Sequence, residues 1–349
     1  MSVQTVTGVV NKSDLGITTP HEHVFIELTA FFEEHYVEDC ESPSTAYVTM
    51  DKLGILNRDP YAIRDNLSML DYETQKREIL RFKNAGGKTI VDATLPGIGR
   101  DPEMLKKISE ATGLNIVMGT GYYVYSTHPA EMKTMSEDEI ADLMIKEIQD
   151  GVGDTGIKAG VIGEIGISEV FNEEERRVLR ASAIAHKKTG TKILVHINPW
   201  TTNGLEATKI LLDAGVEPKN IAISHIDVTN DEEYIYKLLE MGVYVEFDNF
   251  GKEYYVDREV RNDGYGLFVH DTERVSLIKK MIDDGYKSQI LLSCDVCLKT
   301  CLRTYGGWGY DHVLKNIVPM MEDEGISNED INLMLIDNPA DFLDNGGLN

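Results

Sequence analysis

The chain has 349 residues, of which 42% are hydrophobic and 27% charged, and its formal net charge is −25 at pH 7. Such acidity weighs against binding nucleic acid, whose phosphates need a basic footprint, and against anionic membrane surfaces. No apolar run approaches the roughly 18 residues of a membrane span, residues 1–11 lack a signal-peptide pattern, and the four cysteines do not suggest a disulfide scaffold, so a reduced, cytoplasmic setting is expected.

Short β-rich apolar runs alternate with amphipathic, charge-rich stretches. The first run, 16–23, leads into a long acidic segment rich in Tyr and Phe, 24–70, whose length suggests a lid or binding loop. Helix 71–84 then precedes strand 88–95, and helix 102–112 precedes strand 115–123. Helix 136–149, strand 158–166, helix 172–188 and strand 192–197 come next. Helix 205–214, strand 221–227, helix 231–241 and strand 244–250 follow. A second long segment, 254–271, leads to helix 272–284, strand 289–295 and a last helix, 311–324. Gly113, Gly190, Gly215 and Gly242 stand just past helix ends, where a left-handed residue closes the last turn. Eight strand–helix repeats predict a parallel sheet closed as a (β/α)8 TIM barrel, one domain over 1–349. A doubly wound sheet is the alternative, but no Gly-x-Gly-x-x-Gly follows the first strand.

Six residues near the predicted strand ends carry chemistry: His21, His23, Glu164, His196, His225 and Asp295. That face of a barrel holds the active site. Residues i and i+2 of a strand share a face, so His21 and His23 can hold one ion. His196 and His225, on adjacent strands, can hold another. Glu164 lies between the two sets and can bridge them. Asp295, beside the first strand once the barrel closes, can bind metal and accept a proton from water. Imidazole and carboxylate suit Zn2+ first, with Mn2+ or Co2+ as alternatives, and two ions about 3.5–4 Å apart can activate a water between them. Lys158, six residues before Glu164, falls near the barrel floor and is the poorer bridge. Among the other histidines, His186 and His312 read as structural, and His128 and His270 are weaker candidates for the pocket wall. Cys294, Cys297 and Cys301 lack a second Cys/His pair for a structural zinc site, and Cys297 reads as packing.

His21-Glu22-His23, the Gly163-Glu164 pair, His196, His225, Ser293-Cys294-Asp295 and Tyr305-Gly306-Gly307 together resemble the phosphotriesterase-related family of the amidohydrolase superfamily. The resemblance covers nearly the whole chain. It implies a binuclear hydrolase in which His21, His23, Glu164 and Asp295 bind the buried ion, and His196, His225 and the shared Glu164 the exposed one. Asp295 takes the proton of the attacking water. Efficient phosphotriesterases place a carboxylated lysine near the position of Gly163, so the resemblance is to the phosphotriesterase homology proteins, which bridge with glutamate, and phosphotriester cleavage is expected to be promiscuous at most. Cys294 and Trp308 stand where relatives have His. No Glu follows His196 in the manner of mononuclear deaminases. Such relatives are often homodimers.

The resemblance implies a lactone or carboxylic ester as substrate, including a phosphorylated sugar lactone, with an amide or N-acyl bond as the alternative. From another class, a non-catalytic binding barrel is weighed against these. It has no need of a complete ligand set. Pocket candidates just past the strand ends are Tyr122, Tyr123, Lys252, Arg303 and Trp308. Tyr123 can donate to a developing oxyanion, and Lys252 and Arg303 can hold a phosphate or carboxylate.

Overall fold

Alternation along the strands separates two apolar faces, and this separation builds the barrel. In the computed structural model, which describes residues 1–256 and 266–345, a hairpin of β1 (Ser2–Thr5) and β2 (Gly8–Asn11) precedes eight parallel strands. These are β3 (Thr18–Glu22), β4 (Thr89–Asp92), β5 (Asn115–Thr120), β6 (Val161–Ile167), β7 (Ile193–Ile197), β8 (Ile221–Ile223), β9 (Tyr244–Phe247) and β10 (Ile290–Leu292). They pair in sequential order, as a (β/α)8 barrel requires. Ile90, Ile116, Val195, Ile223 and Val245 point outward into the core shared with the helices. Their neighbours Val91, Val117, Leu194, Ala222 and Tyr244 point inward. Each such aliphatic side chain contributes about 1.5–3 kcal/mol when fully buried. Val3 and Leu15 from the start of the chain, and Phe342 and Leu343 from its end, pack into the same inner cluster and plug the floor.

The main connecting helices are α2 (Tyr72–Asn84), α3 (Pro102–Thr112), α4 (Glu137–Gln149), α5 (Glu173–Thr189), α6 (Asn203–Asp213), α7 (Glu232–Glu240) and α8 (Asp271–Asp283). Side-chain caps set several starts. Asp71, Asp101 and Asp231 accept from Thr74, Met104 and Tyr234 N–H groups, and Ser136 and Asn172 open capping boxes with Glu139 and Glu175. None of the helices among the described residues is long and apolar enough to cross a membrane.

The long segment 24–70 is not structureless. It carries 3-10 turns, a short α1 (Leu53–Leu56) and a small core of Val37, Cys40, Val48, Leu56, Ala62 and Ile63. The predicted helix 311–324 is two pieces, a π-helical turn (Val313–Ile317) and α9 (Val318–Asp323). Pro319 lacks the N–H that a continuous α-helix needs at this point. The sequence reading gave no N-terminal hairpin, and it missed α10 (Asn328–Asn332) and α11 (Asn338–Leu343). The second long segment, 254–271, falls partly outside the described residues. Lys158 precedes β6.

The observed strands mostly stop short of the predicted C-terminal ends because the chain leaves the ladder where it presents polar side chains to the mouth. His225 and Asp295 have positive φ, 60° and 44°. Register shifts fall between Thr19 and Glu22 and between Ile162 and Ile165. Among the described residues no ladder joins β10 to β3; side chains close this seam. Glu22, fully buried, accepts from Thr19 Oγ1 at 2.7 Å, Ser293 Oγ at 2.9 Å, Cys294 N at 2.9 Å and Val296 N at 2.8 Å. Ser293 Oγ also accepts from His21 N at 3.1 Å.

Candidate metal centre

Strand parity carries Thr19, His21 and His23 from β3 to the inside of the barrel, and His196 from β7 lies two residues past inward Leu194. His225 and Asp295 reach the same space from their left-handed positions. Glu164 sits at the centre. Its Oε1 lies 3.3 Å from His23 Nε2, and its Oε2 lies 3.4 Å from His21 Nε2, 3.1 Å from His196 Nδ1 and 3.5 Å from His225 Nε2. Asp295 Oδ1 is 3.2 Å from His23 Nε2 and 3.9 Å from His21 Nε2. The six predicted ligands thus converge. They form a group of His21, His23 and Asp295 and a group of Glu164, His196 and His225, each with ligand atoms within 4.8 Å of one another. His196 is the most exposed of the six.

Gly163 leaves the centre to the carboxylate of Glu164. A Cβ at position 163 would lie 2.1 Å from the Leu194 carbonyl oxygen, and φ there is 126°, so this backbone has no room for a lysine at that position.

A second row of polar groups aims the imidazoles. His21 Nδ1 meets Glu246 at 2.9 Å, His23 Nδ1 meets Thr94 Oγ1 at 2.9 Å, and His225 Nδ1 meets Asp248 at 3.0 Å. Each Nε2 therefore faces the centre, and this is the arrangement that orients metal-ligating histidines. His21 Nε2 has no hydrogen-bond partner although it is fully buried, and His225 Nε2 lies 2.8 Å from His196 Nδ1. Inward nitrogens this close, beside two carboxylates, fit the donor set of divalent transition ions. Sequence reasoning missed Glu246 and Asp248. Their signal was two acidic residues at i and i+2 in an otherwise apolar strand run.

The electrostatics point the same way. Burial works against charge on His23, but hydrogen bonds to Asp295 and Glu164 prevail and raise its pKa to about 9. His225 likewise rises to about 10 against burial, through the charge of Asp248. Burial opposes ionisation of Glu164, yet the histidines hold it well below the usual carboxylate range. Burial pushes Glu246 up to about 7. The carboxylates draw positive charge into a dry site, and a divalent cation answers the same demand.

The pocket candidates divide. A cavity of ≈ 320 Å3 opens above the centre and is lined by Tyr123 and Lys252, with Glu164, His196 and Asp295 at its base. Tyr123 Oη is 3.3 Å from His196 Nδ1, and burial keeps its phenol protonated by raising its pKa well above the ordinary value. Lys252 is buried, and its Nζ donates to Asp295 Oδ2. Burial disfavours its charge, but Asp295 outweighs that and raises its pKa. It is therefore no free anchor for a substrate anion. Arg303 does not line this cavity; it pairs with Asp311 at 3.0 Å. Trp308 is also outside it, stacked on His312 with ring centroids 5.2 Å apart. Tyr122 is not among its lining residues either. His128 bonds to Glu174 and the Tyr123 carbonyl, each at 2.7 Å, and His270 bonds to Tyr255. Neither forms the wall. Cys297 does, 3.5 Å from Lys252 Nζ.

Against known proteins, the model of the phosphotriesterase family matches residues 1–343. A curated relative, the N-acetyltaurine hydrolase of Xenopus tropicalis, is 36% identical over 352 aligned residues, covering 98% of this chain and 97% of that protein. The crystal structure of a resiniferatoxin-binding protein from Rhodobacter sphaeroides superposes with a TM-score of 0.94 at 31% identity, over 98% of this chain and 95% of that one. A variant of a phosphotriesterase-like lactonase from Deinococcus radiodurans superposes with a TM-score of 0.77 at 27% identity, over 98% and 100%.

Proposed function

Because the chain belongs to the phosphotriesterase family, we propose that it is a metal-dependent hydrolase that cleaves the carboxamide bond of a small N-acyl amine. The observation that carries this is Glu164, whose carboxylate lies within 3.5 Å of four inward histidine nitrogens, His23 Nε2 on Oε1 and those of His21, His196 and His225 on Oε2. His21, His23, Glu164 and Asp295 would hold one divalent ion, and His196, His225 and Glu164 would hold a second. Bound there, the ions supply Lewis acidity to the carbonyl and a nucleophilic water near neutral pH. Asp295, held ionised by Lys252, accepts the proton of the attacking water and returns it to the amide nitrogen as the C–N bond breaks and the amine leaves. Tyr123 donates its hydroxyl to the carbonyl oxygen as negative charge develops there.

The amide takes precedence over the lactone or ester because N-acetyltaurine hydrolases match over nearly the full length of the chain. A lactone is the second reading, supported by the lactonase neighbour. Metal analysis and amine release test both readings together. Protein purified without chelator is expected to hold about two equivalents of Zn2+, Mn2+ or Co2+ per chain, fewer after His196→Ala and His225→Ala, and to liberate amine from N-acyl amines faster than it opens lactones. Protein that takes up no offered metal defeats the hydrolase reading. Lactone opening without amine release installs the second reading.

A further inference from the structure

We propose that this cavity prefers amides that carry an aromatic-sized apolar group, packed against Trp200 and Phe268. The reaction in this proposal rests on the hydrolase reading above; the binding preference rests on the cavity alone.

The first support is the wall. Trp200, from the loop after β7, meets Phe268 edge to face with centroids 5.4 Å apart, and Phe268 meets Tyr254 at 5.2 Å. All three line the cavity. From the loop after β3, Ile26, Leu28 and Phe31 line it too, and Phe31 stands edge-on to Tyr123 at 6.2 Å. Aromatic rings set at right angles leave a slot that another ring fills well. The volume of ≈ 320 Å3 lies at the lower end of small-molecule pockets, about 300–1,000 Å3.

The second support is the distribution of charge. Among the described residues lining the cavity, Lys252 is the one lysine or arginine, and its Nζ is held by Asp295 beside Cys297. Asn249 spends its amide hydrogens on Asp227 at 2.9 Å and Asp248 at 2.6 Å. Glu169 adds a carboxylate to the exposed rim. Away from the metal centre, a sulfonate, phosphate or carboxylate held against this wall would lose water without meeting a free cation among the described residues, which is costly. An apolar ring gains by the same move.

Binding and turnover are measured separately. Calorimetry on the metal-loaded protein compares two ketones in which CH2 replaces the amide NH, so that nothing is cleaved. One is the isostere of N-acetyltaurine, and the other carries a phenyl ring in place of the sulfonate. The phenyl ketone is expected to bind about tenfold tighter or better. Trp200→Ala or Phe268→Ala, with metal content unchanged, is expected to remove most of that advantage. Equal or tighter binding of the sulfonate overturns the proposal, as does a preference that survives both substitutions. The parent amides are then assayed for amine release. If the phenyl ketone is preferred and neither amide is cleaved, the hydrolase reading fails and the selectivity stands. If N-acetyltaurine is cleaved and its isostere is bound best, the selectivity fails and the hydrolase reading stands.

Discussion

Asp295 sits in left-handed backbone with φ 44°, a conformation that costs most residues about 1–2 kcal/mol but that Asp and Asn adopt readily. Asn therefore keeps the backbone at this position while removing the group that accepts a proton. Asp295→Asn is expected to lower kcat by about 10²–10⁴-fold, with an unchanged circular dichroism spectrum but a lower urea midpoint, since buried Lys252 loses its counter-charge. Turnover near the wild-type rate would remove Asp295 from the mechanism. The convergence of the six candidate ligands was legible in the sequence because each is a polar residue at the end of an apolar run, where burial without a partner is costly. Glu246 and Asp248 lie deeper, at the end of the run beginning at Tyr244, and their role shows only when His21 and His225 are brought against them. Arg303 and Trp308 were misplaced for a related reason. They stand in the irregular segment after β10, where no period dictates which way a side chain points.

At the scale of elements, the alternation of strands and helices was readable because each strand run carries its own two-sided pattern and several helices carry their own caps. Strand ends were not readable, since leaving the ladder depends on the partner strand. The seam between β3 and β10 is the clearest case, because Glu22 gives no hint in the sequence that it serves neighbours some 270 positions away. Glu22→Gln replaces one acceptor oxygen with a donor that faces Thr19, Ser293, Cys294 or Val296. We expect it to destabilise the fold by about 3 kcal/mol, read as a lower urea midpoint, and to reduce metal content as well, since β3 and the end of β10 supply His21, His23 and Asp295. A variant with wild-type stability would show that the seam closes without this carboxylate.

For the molecule as a whole, acid stability depends in part on His186, packed on α5 with Nδ1 2.8 Å from the Thr191 carbonyl. Burial holds its pKa below the ordinary 6.5. The unfolded chain then binds this proton more readily than the folded one, so the contribution is complete above about pH 6.5 and lost as pH falls through the lower folded value. His186→Gln is expected to flatten the fall in urea midpoint between about pH 7 and pH 5; an identical fall in both proteins would show that His186 does not contribute to it. Above that pH the two should differ only by the lost packing.

The plugged floor governs traffic through the same molecule. Val3, Leu15, Phe342 and Leu343 fill the end of the barrel opposite the candidate metal centre, so among the described residues there is no passage through the floor. Whatever enters past Trp200 must also leave past it, and two products cannot exit through one opening at once. For the hydrolase proposed above, the product nearer the mouth departs first and the deeper one departs last. That second departure resets the enzyme, so the retained product competes directly with the next substrate and turnover slows as it accumulates.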